Sequence, residues 1–544
     1  MIEGYESCLG RRAIVNRREA LDNKKIHKLG MADSWTNGQS FEMSPLSEQS
    51  VGESRTLRGG VAKSDITIND PEITVNDPLY AKALVLDDGK TRLAIVTMDA
   101  VAIGGICEIP DSFLPRLRKR IEEELHIPGR HVLVNASHTH PPEPILCNED
   151  EQVERTFDAV RRAVDGMTEV TIGSGTGKED RISMNRNLRM KDGSHWTIRH
   201  SNPSPPDDDV VGLGPVDPEI GILRVDRADR VDGPPLAVVY NFACHFLFGD
   251  PTGKVTANIP GVASRVLEDY WAGQTMAFFV QGACGDIIDV GFKDFMVPRE
   301  VETLGQKLGQ STLKAVRAIS TATSTLEVLS QTVLFPRRTD SAECIRAKEK
   351  ERDELVESLR FMTLNFELFQ SLHPHGTGGS VSPLAAPYHY LRDTDRMRSD
   401  YRSMDELNRT NVARYLENIR TMERLARIQD EIATYQRHQA INAESGESTI
   451  EAEIQVLRIA DCVLIGAPLE VLTEVSLNVK KASPFAQTFL AAFSNGYMHY
   501  GPPVGDYAKG GYEVIECFLA PEWQEVFEQT VGELLSRLEG QKNQ

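Results

Sequence analysis

The tripeptide His138-Thr139-His140 stands where the apolar run Val132-Leu133-Val134 gives way to small polar residues. Two imidazoles two residues apart at a strand end lie on one side of the backbone, a spacing that suits one metal ligand and one proton-transfer group. Alone, such a pair is as readily a hydrogen-bonded rim pair as a metal site, so the case depends on what else gathers at strand ends. The run Leu236 to Ala243 is followed by Cys244 and His245, and Ala277 to Val280 by Gln281, Gly282, Cys284, Gly285 and Asp286. Val463 to Ala467 leads into Pro468 and Glu470, and Thr488 to Phe493 into Ser494, Asn495 and Tyr497. Two neutral imidazoles and one carboxylate, with an open position for water, form a catalytic zinc arrangement. Such an ion lowers the pKa of bound water to about 7, and a further histidine close by can act as base or acid. Metal-assisted hydrolysis is the first expectation. Cys244 and Cys284 adjoin these motifs, so thiolate ligation is an arrangement to be checked. Rival machinery is missing from the sequence: there is no Gly-x-Ser-x-Gly elbow, no His-Glu-x-x-His helix and no Walker-type phosphate loop.

Positioning these residues requires a sheet. Leu93 to Val101, Ser112 to His126 and Val132 to Ser137 read as strand, amphipathic helix and strand, one βαβ unit. The pattern recurs as Leu236 to Ala243, Pro260 to Trp271 and Met276 to Gln281, with Pro260 in the first turn of its helix. It recurs again as Val463 to Ala467, Leu469 to Ala482 and Thr488 to Phe493. Three such units predict an α/β fold with a mostly parallel sheet flanked by helices on both faces. In such sheets ligands sit beyond the carboxyl ends of the strands.

The folded part is expected to begin at Gly59-Gly60-Val61-Ala62, after a polar, aperiodic extension over 1–57. One catalytic α/β domain is then expected in two parts, 59–340 and 445–544. Between them, 341–444 is rich in Arg, Glu, Leu and Met, breaks at His373 to Pro387, and reads as a helical hairpin. That hairpin is either a lid or homo-oligomerisation arm, or a solvated insertion with no part in chemistry. Glu522 to Leu538 closes the chain as a helix whose Val526, Leu534 and Leu535 face the sheet.

The chain has 80 acidic against 60 basic residues, a net charge of -20 and a pI near 5.2, which argues against nucleic acid as a partner. No stretch approaches the roughly 20 apolar residues of a transmembrane segment. Met1 to Arg12 carries Glu3 and Glu6 and no apolar core of a signal peptide. These features predict a soluble, cytoplasmic protein, or a secreted one if the true start lies elsewhere. The eight scattered cysteines form no Cys-x-x-Cys pair, and most are expected to be reduced and buried.

Taken in order, Asn135-Ala136-Ser137-His138-Thr139-His140, Met184-Asn185-Arg186, Asn241-Phe242-Ala243-Cys244-His245, Gly285-Asp286, Gly466-Ala467-Pro468-Leu469-Glu470 and Asn495-Gly496-Tyr497 resemble the neutral/alkaline non-lysosomal ceramidase family. The resemblance runs over about 59–540 once the helical insertion is set aside. It implies a zinc-dependent amidase that cleaves an N-acyl sphingoid base, a lipid acyl substrate, into a fatty acid and an amine. Carried over, it implies zinc ligands His138, His245, Glu470 and Tyr507, with Tyr500 and Tyr497 as nearby alternatives to the last. It further implies that His140 moves protons, that Arg186 steadies the oxyanion of a tetrahedral intermediate, and that Asn185 and Asp286 orient these groups. Asn185, Tyr497 and Tyr500 would then contact substrate.

The departures fall on the substrate side. Ile288 stands where the family carries a serine after Gly-Asp, and Pro141-Pro142-Glu143-Pro144 replaces the Ser-Gly-rich segment after His-Thr-His. Leu519 occupies the place of a second tyrosine, and the family's C-terminal β-sandwich is not expected. Two other readings therefore stand beside the amidase: a zinc hydrolase of another acyl, ester or lactone substrate, and a non-catalytic binding protein.

Overall fold

The computed structural model describes residues 56–542 apart from 141–144, 199–204, 231–232, 248–253, 292–300, 363, 365 and 367–405. The extension before Thr56, the Pro141 to Pro144 segment and the break at His373 to Pro387 lie outside the described residues. Two compact units form, one from 56–337 with 449–542 and one from Arg338–Ser448.

The larger unit is built on two sheets. The first contains β1 (Arg58–Asp65), β2 (Tyr80–Asp87), β3 (Arg92–Met98), β4 (Val132–Ala136), β5 (Thr168–Lys178), β6 (Glu219–Arg227), β7 (Ala237–Phe242) and β8 (Met276–Gln281). They lie in the order β8-β7-β6-β5-β1-β2-β3-β4. The second contains β9 (Leu326–Pro336), β10 (Thr449–Ile459), β11 (Cys462–Gly466) and β12 (Gln487–Ala491), side by side in chain order. Successive residues of a strand face opposite sides, and here both sides are apolar. On β2, Ala81, Ala83 and Val85 join the core beneath the helices α1 (Phe113–Leu125), α2 (Glu149–Asp165), α3 (Asn258–Tyr270) and α4 (Val301–Val316). Leu84 and Leu86 of the same strand join a second core together with Leu457, Leu464 and Phe489 of the other sheet. The far side of that sheet, with Ile454, Val463 and Ile465, is covered by α7 (Thr473–Ala482) and α8 (Trp523–Lys542) through Val475, Phe527 and Leu534. The layers therefore run helix, sheet, sheet, helix. A Cβ on Gly221 of β6 would lie 2.4 Å from the Phe489 ring of β12, which shows how closely the sheets approach.

The α/β class and the three βαβ units form as expected, with β3–β4, β7–β8 and β11–β12 paired in parallel. The mostly parallel sheet does not. The remaining pairs within both large sheets are antiparallel; β2–β3, β6–β7 and β10–β11 are joined by connections too short to carry a parallel crossover. Between β10 and β11 only Ala460 and Asp461 intervene, Ala460 at φ 57°, a two-residue hairpin. Nor do helices flank one sheet on both faces, since each sheet spends one face on the other.

The second unit pairs α5 (Ser341–Ser358) with α6 (Glu406–Ser445). Arg424 bonds Glu351 at 2.8 Å and Lys348 reaches Glu431 at 2.7 Å, so the helices run antiparallel. This is the helical hairpin the composition predicts.

Candidate metal centre

The site lies where β4, β8 and β12 end. Asn135, the fourth residue of β4, accepts from the Gln281 amide (2.9 Å) and donates to Ser494 Oγ (3.0 Å), drawing the three strand ends together. Past β4, the amides of Ser137 and His138 still donate to Met98 and Ala100 carbonyls, each at 2.9 Å. His138 then turns into the left-handed region at φ 58°, as do Phe493, Asn495 and His499 nearby in sequence order on the β12 side. Such conformations are uncommon outside glycine and gather at functional sites. His138 and His140 do meet, but through this turn rather than through the alternation of an extended strand.

His138 is fully buried and its Nδ1–H donates to the Val101 carbonyl at 2.7 Å. His245 is 1% exposed, and its Nδ1–H lies 2.5 Å from the Cys284 carbonyl and 3.1 Å from that of Ile287. A carbonyl only accepts, so both rings are fixed in the tautomer that leaves Nε2 bare. Burial pushes both imidazoles well below their ordinary pKa; the neighbouring His140 adds to this at His138, and Arg186 does so at His245. Both rings are therefore neutral at physiological pH. Their bare nitrogens face the buried Glu470 carboxylate, whose Oε2 lies 3.0 Å from His245 Nε2 and 3.8 Å from His138 Nε2. Three acceptors thus converge with no hydrogen between His245 and Glu470, an arrangement that a cation relieves. Ligands held tetrahedrally about 2.0–2.1 Å from zinc stand about 3.3 Å apart, and the two observed separations bracket that spacing. The donor set fits the ion.

His140 is half-buried and its Nε2 lies 2.9 Å from His138 Nε2. One ligand nitrogen from each of the three histidines falls within 4.8 Å of the others. Phe493 stacks on His138 with ring centres 4.0 Å apart, closing the apolar side of the cluster. Cys244 and Cys284 are buried, and desolvation holds both thiols well above their ordinary pKa. Cys284 Sγ accepts from Gln281 Nε2 at 2.7 Å, so these cysteines act as packed neutral thiols.

The tyrosines divide. Tyr497, on the segment after β12, donates its hydroxyl to Glu470 Oε1. Tyr500 lies opposite Glu470 in a short parallel pairing of Glu470–Val471 with Tyr500–Gly501, and its hydroxyl accepts from Arg186 Nη2 at 3.1 Å. Tyr507, the ligand the resemblance implies, donates instead to the Leu519 carbonyl at 2.8 Å and lies 3.4 Å from Cys517 Sγ. It sits in a one-turn helix end after Val504–Asp506, packed against the core of the second sheet.

Arg186 is 3% exposed. Its Nε donates to Glu513 Oε1 (2.7 Å) and its Nη2 to the Gly285 carbonyl (2.7 Å). Desolvation alone would lower its pKa, but Tyr500 and Glu513 hold it well above the ordinary value. Asn185 and Asp286 are brought together: Asn185 Nδ2 donates to Asp286 Oδ2 at 2.7 Å, while Asp286 Oδ1 accepts from the amide (2.9 Å) and hydroxyl (2.7 Å) of Thr473. Asp286 thereby anchors the start of α7, just past Glu470, and burial raises its carboxyl to about 6. A Cβ at Gly285 would stand 2.6 Å from the Glu470 carbonyl oxygen, so only glycine lets these two loops touch. Ile288 is 1% exposed in an apolar cluster with Leu188 and Ile198, and its backbone bridges that of His245. Sequence reasoning missed Glu513 and Thr473. Neither carried a signal, because Thr473 opens α7 and Glu513 lies in the short helix Tyr512–Ile515, and the approach of both to the site depends on tertiary packing.

No family model and no curated protein matches the chain. Among solved structures, a ceramidase complexed with C2 is similar at TM-score 0.57 and 14% identity, over 89% of this chain and 76% of that one. Neutral ceramidase from Pseudomonas aeruginosa is similar at TM-score 0.54 and 14% identity, over 89% and 75%. The chain has a neutral ceramidase-like fold.

Proposed function

We propose that this protein is a zinc-dependent hydrolase of an amide bond, cleaving an N-acyl amine of ceramide type into a fatty acid and an amine. The observation that carries this reading is the convergence of His138 Nε2, His245 Nε2 and Glu470 Oε2 with both ring hydrogens spent on backbone carbonyls. These three residues would hold the ion. Zinc in such a site supplies Lewis-acid polarisation of a carbonyl and an acidified water. The chain's own residues supply the rest. Val101 and Cys284 lock the two ring tautomers, and the Tyr497 hydroxyl fixes the Glu470 carboxylate. His140, beside His138 yet partly exposed, takes a proton from the attacking water and returns it to the leaving amine. Arg186 offers positive charge where the carbonyl oxygen becomes anionic.

A second reading, an ester, lactone or other acyl substrate, is favoured by Ile288, an apolar residue where the resembled family carries a serine, its backbone bridged to that of His245 and its side chain buried with Leu188 and Ile198. A panel of fluorogenic N-acyl and O-acyl compounds separates the two. The proposal expects amide turnover that a chelator abolishes and added zinc restores. Ester turnover without amide turnover favours the second reading, and no turnover of any acyl compound favours a binding protein.

A further inference from the structure

Glu513 is buried deep beside the site, 1% exposed, in the short helix Tyr512–Ile515. Its Oε1 takes the Arg186 Nε hydrogen at 2.7 Å and its Oε2 lies 3.1 Å from Thr197 Oγ1. The guanidinium it holds lies 5.6 Å from the ring centres of both Tyr500 and Tyr512. Nε is spent on Glu513, and Nη2 on the Gly285 carbonyl and the Tyr500 hydroxyl. Among the described residues Nη1 has no partner, so that edge alone keeps both hydrogens to give. A guanidinium is a planar fork whose direction is set by whichever group grips its other edge.

Resting on the hydrolase reading, we infer that Glu513 is a positioning residue, which grips Arg186 at Nε so that the Nη1 edge meets the carboxylate-like oxygen formed from the acyl group. A buried ion pair that served folding alone would put no demand on where Nη1 points. Here the pair joins Arg186, just after the strand Ser183–Asn185, to the short helix Tyr512–Ile515, and the Thr197 hydroxyl, 2.6 Å from Asn187 Oδ1, packs 3.1 Å from the carboxylate.

The test uses the full chain with zinc supplied. Glu513→Gln keeps an acceptor for Nε and removes the charge, and Thr197→Val loosens the same carboxylate where a Glu513 variant fails to fold. Each is compared with wild type for kcat and KM on an N-acyl substrate, bound zinc, and decanoate binding by calorimetry. The expected result is zinc unchanged, kcat down about tenfold or more for Glu513→Gln and about threefold for Thr197→Val, and decanoate weakened in parallel. Glu513→Asp should recover part of the loss. Folded, zinc-loaded variants with wild-type kcat and wild-type decanoate affinity would overturn the inference. If wild type cleaves no amide, the hydrolase reading fails instead, and decanoate binding still decides the role of Glu513: weaker binding in the variant supports it and equal binding overturns it.

Discussion

Between His245 Nε2 and Glu470 Oε2, 3.0 Å apart, there is no hydrogen to share, since the ring spends its one N–H on Cys284. Burial makes the alternative, a protonated His245, costly, and the same holds for His138. A pH consequence follows with a definite sign. Because both folded-state values are depressed, protons compete for these nitrogens only well below the ordinary histidine pKa of about 6.5. Zinc retained after dialysis should therefore stay level from pH 8 to pH 6 and fall only in more acid buffer; loss centred on about 6.5 would show ordinary, exposed histidines. The pair His138 and His140 was legible in the sequence from type and spacing alone. The unlike environments of the two rings, one buried and one half-exposed, are set by Phe493 and the left-handed turn, which no local pattern encodes.

The elements around these residues are held by side chains that cross between loops. Asp286 is the clearest case, linking Asn185 to the first turn of α7. Asp286→Asn places an amide where Asn185 also presents one, leaving a donor unmatched, and should cost about 1–3 kcal/mol. Its folded-state value of about 6 lies above the ordinary carboxylate value, so the stability Asp286 contributes through proton binding is present in acid and lost as pH rises through about 6. The variant lacks that dependence, so its deficit against wild type in urea melts should be larger at pH 5 than at pH 7.5. A deficit that grows with pH would contradict this. The three βαβ units were legible because continuous apolar runs mark strands covered on both faces. What those runs could not reveal was the covering partner: Leu84 and Leu464 meet across two sheets, whereas sequence pattern alone suggests helices on both sides. Glu513 and Tyr507 were the least legible, because phenol and carboxylate placement there depends on Leu519, Thr197 and Arg186 from other segments.

At the scale of the molecule, the segment 338–448 enters and leaves the larger unit at one place. Pro336 and Thr449 are direct partners across the antiparallel pair β9 and β10, and Arg337 Nε donates to the Thr449 carbonyl at 3.1 Å. Replacing 338–448 by a short Asn-Gly turn should close this hairpin and leave a folded larger unit that still binds zinc, read by melting and metal content. Failure of the shortened chain to fold would show that the helical unit is needed for the core. Among the described residues no helix is long and apolar enough to cross a membrane. The neutral ceramidase-like fold explains how His138, His245 and Glu470, spread over more than three hundred residues, come to share one centre: each follows a strand of a parallel βαβ unit, and ligands gather at such carboxyl ends. The most direct measurement is the zinc content of the purified wild-type chain beside His138→Ala, His245→Ala and His140→Ala. The account predicts about one zinc per chain in wild type and in His140→Ala, which should lose about 10²–10⁴-fold in rate, and little or none in the other two variants. Equal zinc in all four, or none in wild type after reconstitution, would contradict it.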